Sequence, residues 1–156
     1  MRRIPKLYAD EVLTPEQIRD LGRVAVESGN LEVLVALIIG YVENAPVNLN
    51  GGISRKLKKL RSLINDGLPS GDLLDRFNKM YDQGMTSVCN RNILIHGRWI
   101  EKTTKEGRKI VTAVSVTNSM SLLTDSLMTT ALDLATFQRE LDAFYVRYGD
   151  QLSTSP

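Results

Sequence analysis

A mainly helical fold is predicted: an antiparallel bundle with a small β-hairpin, at about residues 98–116, inserted before the last helix. Three observations carry this. Apolar residues recur at helical spacing through most of the chain, capping and breaking residues punctuate those runs, and after Gly97 the period changes to that of strands. The chain has 156 residues with no internal repeat and no linker, so 1–156 reads as a single domain able to bury one core.

The elements follow in order. "TPEQ" opens the first helix: Thr14 can cap it, Pro15 suits the first helical position, and Gln17 completes a capping box. Leu21, Val24 and Ala25 continue at helical spacing, and Gly29-Asn30 is expected to end the segment. A second helix is expected from about Leu31 to Val42 or Asn44, apolar on nearly all sides as suits the centre of a bundle. Its apolar stretch, residues 31–42, falls short of the ~20 residues that cross a bilayer, which predicts a buried core helix and no membrane partner.

"NAPVNLNGG" is a loop, and Ile53, Leu57, Leu60 and Ile64 then form the apolar edge of another helix. Ser70 is the expected cap of a long helix that runs to His96, with Asp72 in its first turn and Gly97 as a C-terminal glycine cap. Gly84, inside it, costs about 1 kcal/mol relative to alanine, so a bend or a close helix contact is expected there. "RWIEKT" and "RKIVTAVSV" read as strands joined by "TKEG", with Trp99 and Ile100 as core anchors; base stacking is a second reading of Trp99. Residues 118–129 fit no single element. Thr130 with Asp133 suggests the cap of the final helix, and "QLSTSP" reads as a frayed tail.

Composition bounds the function. Twenty Lys and Arg against eighteen Asp and Glu leave +2, too balanced for bulk electrostatics to identify a nucleic-acid binder. Local clustering must carry any such role. Arg55, Lys56, Lys58, Lys59 and Arg61 supply five cations in seven positions, which either track an RNA backbone or form a solvated outer face. Cys89 is the only cysteine, which excludes an intrachain disulfide, suits a reducing compartment, and predicts a small buried residue on a helix. The basic N-terminus "MRRIPKLYADEV" lacks the apolar stretch of a signal peptide, so a cytoplasmic location is expected. One histidine and one cysteine make no metal-ligand cluster, and neither a metal nor a cofactor is expected.

The segment "CNRNILIHGRW", residues 89–99, holds the only histidine and the only tryptophan. On a helix of ~100° per residue, Asn92 falls on the apolar stripe of Leu74, Phe77, Tyr81, Gly84, Met85, Val88 and Ile95. An amide on such a stripe requires a hydrogen-bond partner or an open cleft. Arg91 and His96 lie on opposite shoulders, roughly 140° apart, so one helix alone is not expected to aim both at the same atom. A second copy of the helix would repair this. The structural alternative is plain: a histidine in a last helical turn is favoured by the dipole, and Arg91 can bridge to an acidic neighbour.

Arg91-Asn92-Ile93-Leu94-Ile95-His96 resembles the R-x4-6-H motif of HEPN domains, helical bundles whose motif-bearing members are ribonucleases. The resemblance covers roughly residues 12–99. It implies a metal-independent endoribonuclease with His96 in proton transfer, Arg91 in charge stabilisation and Asn92 in support. It further implies a homodimer with facing motif helices; an RNA substrate would then meet Arg98 and the basic helix as candidate contacts, and a toxin or defence component controlled by a partner protein is the first hypothesis. An inactive dimeric binding or assembly module is the alternative within the same resemblance.

Overall fold

The computed structural model describes residues 13–114, 119–121 and 126–153, with only the backbone course for Lys102 and residues 119–121. Among these are four helices, α1 (Pro15–Val42), α2 (Ile53–Gly67), α3 (Asp72–His96) and α4 (Ser126–Ser153). Strands β1 (Arg98–Thr103), β2 (Lys109–Val114) and β3 (Ser119–Ser121) lie between α3 and α4 in an antiparallel sheet of order β1-β2-β3. The molecule is thus mainly helical with a small sheet before its last helix. α1 lies along α4 and α2, α3 lies along α4, and their inward faces share one hydrophobic core.

α1 begins at the expected capping box: Gln17 N–H donates to Thr14 Oγ1 (3.2 Å), and Thr14 N–H donates to Gln17 Oε1 (2.8 Å). Gly29-Asn30 does not end it. The two expected helices are one helix of 28 residues, because Ser28 and Leu31 on either side are fully buried while Gly29 and Asn30 face outward. Core packing on both sides outweighs a propensity deficit of about 1 kcal/mol. The true stop is Asn44, left-handed at φ 48°, with Asn44 N–H on the Tyr41 carbonyl and Ala45 N–H on the Gly40 carbonyl. That is a Schellman closure using asparagine. Fused in this way, α1 is long and apolar enough, by length and composition alone, to cross a membrane. It is not buried all round either: Val26, Val33, Leu37 and Tyr41 are between 46% and 61% exposed.

The edge of α2 packs as the spacing predicts, with Ile53, Leu57, Leu60 and Ile64 all buried. α3 starts one residue later than its expected cap. Gly71 (φ 149°) is the N-cap, and no side chain caps the helix. At Gly84 the helix runs on unbroken and meets α4 closely, since a Cβ there would stand 2.3 Å from the Phe137 ring. Cys89 is exposed rather than buried, because it follows buried Val88 by ~100° and turns outward.

Gly97 closes α3, but not in the left-handed form expected of a glycine cap. Its backbone is extended (φ −71°, ψ 160°), and glycine is needed because a Cβ would lie 2.2 Å from the Ile93 carbonyl oxygen. The hairpin follows directly. Its register runs from Arg98 opposite Val114 to Thr103 opposite Lys109, with Gly107 (φ 79°) in the turn. Trp99 is buried against the core beside Ala113, as expected of an anchor. Residues 115 and 116 of the expected second strand lie outside the described residues. β3, three residues long, is an addition that the strand period did not announce. α4 also starts earlier than its expected cap. Thr130 lies inside the helix, its hydroxyl donating to the Ser126 carbonyl (2.8 Å). The expected frayed tail is helical to Ser153 because Leu152 is buried; residues 154–156 lie outside the described part.

Candidate functional site

The last turn of α3 brings Arg91, Asn92 and His96 together against the first turn of α2. Arg91 Nη1 donates to Asn92 Oδ1 (2.8 Å) and stands 3.3 Å from His96 Nε2. The expected divergence of Arg91 and His96 is overturned within a single chain. The arginine side chain is long enough to reach forward round its own helix, so angular separation at the Cα atoms does not separate its charged end from the imidazole. A guanidinium has only donors, so this contact is a hydrogen bond when Nε2 accepts and the ring proton sits on Nδ1.

Asn92 anchors the group. Its Oδ1 receives Arg91, while its Nδ2 donates to Ser54 Oγ (3.3 Å) on α2, which answers how an amide is tolerated on the apolar stripe. Arg91 Nε is buried and finds no hydrogen-bond partner among the described residues. His96, by contrast, is exposed. The arrangement presents an accessible imidazole beside a half-buried, braced cation. Two groups suited to proton transfer and to holding an anionic oxygen thus lie within one contact of each other.

The basic helix divides. Lys56 is 6% exposed and its Nζ binds Glu32 Oε1 (2.6 Å) and the Leu49 carbonyl (2.7 Å), tying α2 to α1 and to the loop between them. Lys59 pairs with Glu43 (2.7 Å). Arg61 bonds Asn78 Oδ1 (3.0 Å), reaches Asp82 (3.3 Å) and stacks 4.7 Å from the centre of the Tyr81 ring. Burial pushes the Tyr81 hydroxyl above its ordinary pKa, and the Arg61 charge opposes that rise. Arg55, Lys58 and Arg98 are exposed and make no ion pair among the described residues. Alternation of charge along α2 therefore does not distinguish a structural lysine from a free one.

Ser54 and Glu32 were not anticipated. Each is an ordinary polar helical residue in sequence, and only the packing of α2 on α3 and α1 gives it a partner. Two cavities of about 480 and 350 Å³ lie between α3 and α4, and neither is lined by Arg91, Asn92 or His96. Among the described residues no three His, Cys, Asp or Glu side chains are grouped so as to hold a metal ion. In comparisons with protein-family models, curated proteins and solved structures, nothing matches this chain.

Proposed function

We propose that this chain is a HEPN-type, metal-independent endoribonuclease acting at the end of α3. The observation that supports it is the Arg91 guanidinium in contact with both Asn92 Oδ1 (2.8 Å) and exposed His96 Nε2 (3.3 Å). In the reaction the RNA supplies its own nucleophile. His96 Nε2 takes the proton of a 2′-hydroxyl as its oxygen bonds to phosphorus. The P–O5′ bond then breaks and the departing oxygen takes a proton from water, whose hydroxide reclaims the proton held by His96, leaving a 2′,3′-cyclic phosphate and a 5′-hydroxyl. Arg91 turns from Nε2 to the phosphate oxygens, which frees the lone pair that accepts the proton and neutralises charge at phosphorus. Asn92, fixed to Ser54, holds Arg91 in position. Arg55, Lys58 and Arg98 are the cations free to follow the strand. On this reading the enzyme is a cytoplasmic homodimer and a toxin or defence component restrained by a partner protein.

The test is cleavage of mixed RNAs in EDTA by the purified protein. His96→Ala is expected to lower the rate by about 10²–10⁴-fold, and Arg91→Ala to lower it as well. Equal background cleavage by wild type and both variants, on every substrate, removes the enzyme reading. A second reading, an inactive assembly module of the same type, is favoured by the exposed apolar line of Val26, Val33, Leu37 and Tyr41 along α1.

A further inference from the structure

We infer that the groove between α3 and α4 binds a small organic anion with a flat aromatic body, the chemistry shared by aryl phosphates and nucleotides. The cavity measures about 480 Å³, within the usual size of small-molecule sites. Arg76 and Lys79 line it from α3 and Arg147 from α4. Among the described residues the only acid in the lining is Glu140, so the charge these residues turn to the cavity is net positive. Asp72 and Asp75 precede Arg76 and Lys79 at the spacing that commonly pairs, and Asp150 follows Arg147 by one turn. Even so, none of these three cations enters an ion pair among the described residues. Asp150 instead accepts from the Tyr41 hydroxyl (3.4 Å). Three unpaired cations of like charge held around one cavity are mutually repulsive until an anion enters.

The aromatic requirement comes from α4. Phe144 and Tyr148 line the same cavity with ring centres 5.2 Å apart, and Phe77 supports Phe144 from behind at 5.2 Å. The Arg147 guanidinium lies 5.4 Å from the centre of the Tyr148 ring. A flat ring entering here meets aromatic surface, while an attached phosphate meets guanidinium donors able to grip two oxygens at once. The groove is about 24 Å along α3 from His96, counting from Met80, so it neither shares residues with the proposed nuclease centre nor depends on it.

The experiment is titration of the ¹⁵N-labelled protein, followed by amide shifts, with phenyl phosphate, AMP, inorganic phosphate and phenol in separate arms. Phenyl phosphate is expected to move amides of residues 73–83 and 140–148 to saturation, with phosphate and phenol each binding about tenfold or more weakly. Saturation by AMP at lower concentration identifies the nucleotide source, and saturation by phenyl phosphate alone identifies the other. Replacing two exposed cations, Arg76→Ala with Arg147→Ala, is expected to weaken either anion about tenfold or more while the remaining spectrum stays folded. The inference is overturned if neither organic anion shifts the groove, if inorganic phosphate binds as well as phenyl phosphate, or if the double variant binds unchanged.

Discussion

Gly84 and Lys56 show how a residue type acquires meaning from what it touches. Alanine is the better helix former by about 1 kcal/mol, so Gly84→Ala would stabilise an unpacked helix. Here the Phe137 ring occupies the space a methyl group would fill. Overpacking of about 1–3 kcal/mol therefore wins, less the gain in propensity. Gly84→Ala is expected to lower the urea midpoint, and an unchanged or raised midpoint would contradict the close packing of α3 on α4. Lys56 makes the complementary case. Lys56→Ala strips Glu32 and the Leu49 carbonyl of their partner, with an expected loss of about 2 kcal/mol in urea unfolding. Lys59→Ala breaks a pair whose lysine is half exposed, and the expected loss is below about 1 kcal/mol. Equal losses in the two variants would contradict the division of the basic helix into buried and solvated positions.

At the scale of elements, period was legible and punctuation was less so. The capping box at Thr14, the apolar edge of α2 and the first strand of the hairpin follow from local chemistry that tertiary packing leaves intact, while the second strand starts at Lys109, one residue later than expected. The ends and joins that differ are those decided by distant partners: Leu31 and Ser28 carry α1 through Gly29-Asn30, and Leu152 keeps α4 helical near its end. Gly29 gives a direct check. Among the described residues nothing lies within 4 Å of where a Cβ would stand, and its backbone is helical. Gly29→Ala is therefore expected to raise stability by about 0.5–1 kcal/mol in urea or thermal unfolding. A loss of stability would indicate a turn at this position instead of continuous helix.

For the whole molecule, the contact among Arg91, Asn92 and His96 was not legible in the sequence. Helical angles place Arg91 and His96 apart, while the length of an arginine side chain and the Asn92–Ser54 brace bring them together. Neither the reach of a side chain nor the arrival of a second helix is written in periodicity. The exposed face of α1 sets the prediction at this scale. Leu37, 50% exposed, is a surface position whose replacement by glutamate is expected to change monomer stability by no more than about 0.5 kcal/mol. If that face joins two copies, light scattering should find a dimer for wild type at tens of micromolar and a monomer for Leu37→Glu. A wild-type monomer at that concentration removes the pairing.

A single extended glycine separates α3 from the sheet. One residue spans at most about 7 Å between its flanking Cα atoms, so the last turn of α3 and the first pair of the hairpin lie close together. Trp99, buried in the core, stands three residues after His96 and fixes the chain just beyond the helix end. The position of His96 is thus bounded from inside the protein, by a neighbour that solvent hardly reaches.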